Sequence, residues 1–490
     1  MINTIALKEC RQAVRSRLVT GMLLFLVIAE LAACLITLVV QAANSHDYSL
    51  QGGRVLFVIL LMVLTYGASA FVPVYTMLRL MAERWNDSVD LLYVTGMSPW
   101  AIVRGKLVSA GAVLMLLFSA VMPFMALTYP LRGIDIFSML AVLAFAAVCI
   151  MLFTLFMLLV GSAGTTRPHK VVNALAGIFF ALVMAGSLTA FGVTALEEGL
   201  ASILSQREAL LGVVMAGVIG LALAAVMYVA TAMQLMPPSA NRALPLRLVV
   251  TGAIVVFEVV ALAVSSVLGD ADALMTALRV SMWMICISII YVSAAPREIS
   301  LRVRREIPRS RIGQLVYPLY EGAGAGFLWT MLLMCGVCGS TLTGAAIGGY
   351  GLDDEDALWR IVIMYVYVLS AGLVARSVWM YFLPRRVPSR YVALTGVVVL
   401  VMGTAAPLLA GLWYDMRSLP NYGLWWYGNV AAVFDSSRDA VSLTKQGLGA
   451  GVGLAGAVLI SIPWWYRELR AFRPLERRHA ARAAHAAHGE

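Results

Sequence analysis

The chain has 490 residues, of which 61% are hydrophobic and only 13% charged, and its formal net charge is +10. Ordinary soluble domains carry about 25% charged residues, so this composition excludes a soluble globular protein of this size. The strand-like alternation of a membrane β-barrel is also missing, and the sequence therefore predicts an all-α polytopic membrane protein.

About twelve stretches are apolar enough to cross a bilayer, which takes roughly 20 residues per helix. The first one is preceded by Arg11, Arg15 and Arg17, and it is too long for the apolar part of a signal peptide, so we interpret it as a retained span. The predicted spans are 18–41, 55–78, 107–129, 136–160, 171–194, 209–233, 248–268, 280–295, 323–349, 361–382, 391–413 and 446–466.

The basic residues are distributed unevenly between the loops on the two sides of these spans. With the amino terminus inside, 28 of the 36 Lys and Arg residues lie on the inner side and 8 on the outer side. Inner loops of membrane proteins are enriched in Lys and Arg, so this bias predicts that both termini are cytoplasmic. We expect the membrane to be a cell membrane, of the bacterial cytoplasmic type. The positive net charge then follows from topology, and we expect no binding of nucleic acid.

Residues 1–17 are predicted to form an amphipathic elbow helix ahead of the first span. One side carries Lys8, Arg11, Gln12 and Arg15. Such a helix lies in the membrane interface, with its apolar side in lipid. The apolar side gathers Ile2, Ile5, Ala6, Cys10, Ala13 and Val14.

The loop 79–106, between the second and third spans, is polar and still patterned like folded structure. Trp85, Val89 and Leu92 fall at helical spacing. After them, Gly96 is typical of a helix end, Ser98 of an N-cap and Pro99 of a first helical turn. The pattern predicts a helix, a sharp turn and a second helix that leads through Gly105 and Lys106 into the third span.

These features together resemble the membrane subunits of type-2 ABC transporters over residues 1–165. The resemblance rests on an elbow at 7–17 and, in the loop, on Glu83-Arg84, Leu91-Leu92, Thr95-Gly96-Met97-Ser98-Pro99 and Gly105-Lys106-Leu107. It implies that the loop is a coupling element that docks on a cytoplasmic ATPase. The implied docking residues are Glu83, Arg84, Asp87, Leu91, Leu92, Thr95, Gly96, Ser98, Pro99, Trp100, Gly105 and Lys106.

The resemblance further implies the permease subunit of an ATP-driven exporter, with a translocation path but no catalytic residues. The sequence has no G-x-x-x-x-G-K-[ST] phosphate loop, so we expect ATP and magnesium to bind a separate ATPase subunit. A second permease chain is a further candidate partner beside the lipid bilayer. No metal site is expected in this chain.

The chain departs from this family in having about twelve spans where six are typical. We divide it into the elbow 1–17, a permease-like bundle 18–233, a second bundle 234–466 and a cytoplasmic tail 467–490. The second bundle is either a fused permease half or an accessory bundle. A six-plus-six repeat would explain why long inner loops follow the second and the eighth spans.

Two glutamates, Glu30 and Glu258, fall inside the first and seventh predicted spans. A charged carboxylate in mid-bilayer costs several kcal/mol, so both are expected to be neutral, hydrogen-bonded or beside a wet cavity. Hydrogen bonding between helices, contact with a substrate and coupling to protons are the three roles that remain open.

Two other function classes compete with the ABC permease. The first is an ion-coupled secondary transporter with twelve spans, although the loop 79–107 lacks the G-x-x-x-D-R-x-G-R-R-like pattern of the major facilitator class. The second is a membrane-embedded enzyme, which would need several titratable groups or metal ligands gathered within the spans.

Overall fold

A computed structural model describes most of the chain. The described residues are 4–43, 52–85, 98–131, 134–163, 167–198, 205–237, 240–269, 271–296, 303–304, 307, 313–349, 355–382, 392, 395–396 and 440–472. Their regular structure is entirely helical, with no strand in these ranges, which confirms the all-α prediction. The chain divides into two compact units, Met1–Pro237 and Pro238–Glu490.

The first unit consists of a short helix followed by six long ones. The short helix, Thr4–Val14, lies at the position of the predicted elbow, and its relation to a membrane stays a prediction. In chain order the helices are α1 Thr4–Val14, α2 Arg17–Ala43, α3 Gly52–Trp85, α4 Pro99–Ala126, α5 Ile136–Ala163, α6 Arg167–Glu198 and α7 Arg207–Gln234.

The second unit contains five long helices among its described residues and one short 3-10 helix, Gly313–Leu319. The long helices are α8 Ala243–Leu268, α9 Asp272–Ser293, α10 Ala323–Gly348, α11 Glu355–Tyr381 and α12 Ala440–Ala471.

Eleven of these helices are long and apolar enough to cross a membrane. Each coincides with one of the twelve predicted spans, which confirms a multi-pass membrane protein. The remaining predicted span, 391–413, lies outside the described residues apart from three isolated positions. The cytoplasmic location of the termini stays a prediction.

Several helices extend beyond the boundaries predicted from hydropathy. The predicted loop 79–106 is shorter in the structure. It begins later, because α3 continues through Trp85, and it ends earlier, because α4 begins at Pro99. Arg79 and Lys106 thus belong to helices, where ion pairs replace the apolar surroundings that hydropathy detects. The predicted tail also begins too early, because residues 467–471 belong to α12.

The core of the first unit is centred on α3, which packs against α2, α4, α5 and α6. Contact on several sides requires a helix that is apolar around most of its circumference. The residues of α3 that are at most 1% exposed are Leu56, Phe57, Leu60, Leu61, Leu64, Ala68, Val72, Met77 and Leu80, together with Thr65 and Ser69.

In the second unit the central helix is α9, which packs against α8, α10 and α11. Leu278, Ile285 and Ile289 on α9 are fully buried. The neighbouring α8 and α10 both end at glycines with positive φ, Gly269 at 81° and Gly349 at 67°, a conformation that other residues adopt only with strain.

Close packing at the start of α10 depends on the absence of side chains. A Cβ atom at Gly326 would lie 2.6 Å from Val292 Cγ2 and 2.7 Å from Arg247 Nη2. By contrast, a Cβ atom at Gly336, about three turns later in the same helix, would have no heavy atom of another described element within 4 Å.

We predict that Gly326→Ala lowers the thermal stability of the protein in detergent, because overpacking a buried contact costs about 1–3 kcal/mol. Gly336→Ala is the matched control. It should leave the melting temperature unchanged or raise it slightly, since alanine favours helix by up to about 1 kcal/mol. Equal melting temperatures for the two variants would contradict this account of the packing.

Candidate functional site

A helix cap marks the beginning of α4, inside the predicted coupling loop 79–106. Ser98 has extended backbone angles, φ −74° and ψ 140°, and its Oγ atom accepts a hydrogen bond from the Ala101 N–H at 3.3 Å. Pro99 is the first residue of α4, where its missing N–H leaves no hydrogen bond unmade. The predicted N-cap and proline positions are confirmed, and α4 runs without a break into the third span.

The first turn of α4 is held by the last helix of the unit. The Tyr228 hydroxyl of α7 donates a hydrogen bond to the Trp100 carbonyl oxygen at 3.1 Å. The two aromatic rings also pack against each other, with centroids 5.6 Å apart. This contact fixes the beginning of α4 relative to α7.

Four charged side chains from three helices meet beside the loop, and we call them the elbow cluster: Glu9 of α1, Arg79 and Glu83 of α3, and Lys106 of α4. Lys106 Nζ lies 2.8 Å from Glu83 Oε2 and 3.6 Å from Glu9 Oε1. Arg79 Nη2 lies 3.6 Å from Glu9 Oε2. The two acids and two bases balance, so the cluster carries no net charge.

Burial makes Lys106 the central member of the elbow cluster. Only 3% of its side chain is exposed, whereas Glu83 is 30% exposed. Lys106 and Glu83 are close enough to form an ion pair. The angles at the Lys106 ammonium group do not meet the criteria of a hydrogen bond to any described residue. A buried ammonium group is tolerated only with paired charges, so Lys106 requires both α1 and α3 in place.

A narrow cavity lies next to the elbow cluster. Besides Glu9, Arg79 and Lys106, it is lined by Tyr75, Thr76, Ser109, Ala110 and Val113. The Arg79 guanidinium donates a 2.6 Å hydrogen bond to Gln12 Oε1, which joins α1 to α3 a second time.

The structure brings together only part of the predicted docking set. Glu83 and Lys106 form an ion pair, Ser98 and Pro99 begin α4, Trp100 contacts Tyr228, and Gly105 is buried within α4. For Arg84 only the helical backbone is described. The predicted docking residues outside the described part of the chain are Asp87, Leu91, Leu92, Thr95 and Gly96.

Sequence reasoning missed the packing of α1 against α4 and its bonds to α3. Ala6 and Ala13, predicted to face lipid, are buried at 3% and 1% exposure and share a stripe with Glu9. The prediction was wrong for these positions because α1 packs its stripe against α4. One signal was present: Glu9 is the only acid among the basic residues of the first 17 positions.

Glu258 forms hydrogen bonds to two other helices. Of the three roles proposed for the intramembrane glutamates, this contact matches hydrogen bonding between helices. Its Oε2 atom accepts from the Ser340 hydroxyl of α10 at 2.9 Å, and its Oε1 atom from the Ser281 hydroxyl of α9 at 3.4 Å. The Glu258 carboxyl therefore joins α8, α9 and α10 inside the second unit.

Glu30 has a different environment in the first unit. It is fully buried in α2, and neither of its carboxyl oxygens has a hydrogen-bond partner within the described ranges. Burial of a polar group without a partner costs free energy, so this residue contributes less to stability than Glu258 does.

Comparison with protein-family models, with curated proteins and with solved structures finds no match to this chain. Across the described part of the chain, no three His, Cys, Asp or Glu side chains gather as metal ligands would. Function is therefore inferred from residues at the two ends of the predicted loop, Glu83 and Ser98 to Lys106.

We predict that Lys106→Met lowers the melting temperature in detergent and increases proteolysis of α1. Removal of the ammonium group leaves the buried Glu9 and the half-buried Glu83 with less positive charge, a loss on the order of 3 kcal/mol. Arg104→Met, which removes an exposed cation from the same helix, is the control and should have little effect. Equal stability of the two variants would show that the elbow cluster does not hold α1.

We predict opposite effects for the two intramembrane acids. Glu30→Met should keep or raise the melting temperature, because it removes a buried carboxyl without breaking a described hydrogen bond. Glu258→Met should lower it, since two hydrogen bonds of about 1 kcal/mol each are lost, whereas Glu258→Gln retains an acceptor and should lower it less. A destabilised Glu30→Met protein would contradict this interpretation.

Proposed function

We propose that this multi-pass membrane protein is the permease subunit of an ATP-driven exporter of the type-2 ABC class in a bacterial cytoplasmic membrane. A separate cytoplasmic subunit binds ATP and magnesium and docks on the loop between α3 and α4. The chain itself provides the path for the transported molecule and carries out no covalent chemistry.

The observation that carries this proposal is the double anchoring of the loop. On one side Glu83, at the end of α3, is paired with Lys106, and on the other Ser98 and Pro99 begin α4. Because Lys106 also pairs with Glu9, a displacement of the loop is passed to α1 and to two spans. A docking element that transmits force needs rigid anchors of this kind, and a loop that only connects two spans does not.

The first test is association with an ATPase that carries the G-x-x-x-x-G-K-[ST] loop and is encoded beside this chain. The intact chain should co-purify with that subunit in mild detergent, and the complex should hydrolyse ATP in a vanadate-sensitive reaction. The double variant Gly96→Val/Ser98→Val should insert into the membrane normally but lose most of the bound ATPase, since it disrupts the turn predicted from the sequence and the N-cap.

Gly212→Val is the matched control, because a Cβ atom at that exposed position of α7 would have no heavy atom of another described element within 4 Å. It should bind the ATPase as the unaltered chain does. If the loop variant binds as much ATPase as the unaltered chain, the loop is not the docking site. If the intact chain binds no such ATPase, the proposed function is refuted.

An ion-coupled secondary transporter is the second candidate, and the buried Glu30 favours it. A carboxyl group without a described hydrogen-bond partner is suited to bind and release a proton within the membrane. Ion-driven transport in proteoliposomes that contain only this chain, abolished by Glu30→Gln, would favour this candidate over the ABC permease.

A further inference from the structure

With α1 and α6 set aside, the same non-consecutive helix pairs pack together in each of the two units. Consecutive spans pack together in many membrane proteins, so the pairs that are distant in sequence are the informative ones. In the first unit α2 packs on α4, α3 on α5, and both α4 and α5 on α7. In the second unit α8 packs on α10, α9 on α11, and both α10 and α11 on α12.

This correspondence assigns α8 to α2, α9 to α3, α10 to α4, α11 to α5 and α12 to α7. By its place in the sequence, the predicted span 391–413 corresponds to α6. The buried acids agree with the assignment, since Glu30 lies midway along α2 and Glu258 midway along α8.

In each unit the last helix is bonded to the first turn of the third long helix. In the first unit this bond joins Tyr228 of α7 to Trp100, the second residue of α4. In the second unit Glu468 of α12 accepts hydrogen bonds from the N–H group of Gly324, the second residue of α10, at 3.0 and 3.1 Å. The side chains differ, whereas the elements that they join correspond.

The connection between α9 and α10 corresponds to the coupling loop between α3 and α4, and buried arginines hold both of its ends. At the start, Arg376 of α11 donates to the carbonyl oxygens of Ser293, Ala295 and Pro296 at 3.3, 2.5 and 3.3 Å. At the end, Arg247 of α8 donates to the carbonyl oxygens of Pro318, Tyr320 and Gly322 at 2.6, 2.6 and 3.1 Å.

The last part of this connection, the 3-10 helix Gly313–Leu319, is further held by α12 and the residue after it. The Tyr317 hydroxyl donates to Glu468 Oε1 at 3.3 Å, and the rings of Tyr317 and Tyr320 meet the ring of Phe472 at 4.9 and 5.3 Å. Burial and the Glu468 carboxylate raise the pKa of Tyr317, so its hydroxyl remains a hydrogen-bond donor. The 3-10 helix is therefore held in place by contacts with α8, α12 and Phe472.

One apolar side chain of the 3-10 helix is not buried in the core of the unit. Leu315 is 78% exposed, whereas Tyr317, two residues later, is buried at 6%. The Leu315 side chain is therefore accessible to another protein, and it lies in the connection that corresponds to the predicted coupling loop of the first unit.

We propose that the second unit repeats the design of the first and that the 3-10 helix Gly313–Leu319 is a second ATPase-docking element, with Leu315 at its centre. This inference rests on the proposed function. It assigns the second bundle as a fused permease half, so that one chain binds two ATPase domains of the same kind and needs no second permease chain.

The decisive measurement is the mass of the complex of the full chain with its ATPase, by native mass spectrometry in detergent. We expect one chain with two ATPase domains. A complex of two chains with two ATPase domains, or of one with one, would overturn the inference and leave the proposed function intact. If no ATPase binds, the proposed function fails and the inference fails with it.

Variants then separate the two docking elements. Leu315→Asp should reduce the bound ATPase domains from two to one per chain, and its combination with Gly96→Val/Ser98→Val should reduce them to none. Leu315→Met, which keeps an apolar side chain of similar volume, is the control and should retain two. Retention of both domains by a folded Leu315→Asp protein would overturn the assignment of this element, and the mass of the unaltered complex decides the stoichiometry if that variant does not fold.

Discussion

The buried Lys106 ammonium group imposes the arrangement on which the first unit depends. Its 3% exposed side chain needs carboxylates nearby, and these come from Glu9 of α1 and Glu83 of α3. Neither lipid nor an apolar core offers such partners, so α1 and the helices on both sides of the loop must stay together. The same requirement explains why α3 and α4 extend beyond the apolar segments that hydropathy detects.

The second unit meets a similar requirement with backbone oxygens. Arg247 and Arg376 each donate to three carbonyl groups at the two ends of the connection between α9 and α10. A guanidinium group has five donors in a planar fork, so one arginine can satisfy several carbonyls that a helix end leaves without partners. In both units, buried cations thus bind residues that flank or belong to the connection before the third long helix.

The apolar and small residues made the spans predictable, because membrane helices need long apolar runs whatever they pack against. Ser98 and Pro99 were equally informative, since capping is a local interaction between neighbours in sequence. The elbow cluster was not predictable in this way. Glu9 and Lys106 are 97 positions apart, and the lone acid among the basic residues of the elbow does not show which helix supplies its partner.

The helical class, eleven of the twelve predicted spans and the point where α4 begins were all readable from the sequence. Those properties follow from the transfer of side chains into lipid and from hydrogen bonds within one helical turn. Tertiary contacts were needed to show that Glu258 is bonded to two serines while Glu30 has no described partner, and that the same non-consecutive helix pairs pack together in both units once α1 and α6 are set aside. Such differences depend on which helices are neighbours, and contacts between distant parts of the chain leave no periodic signal in the sequence.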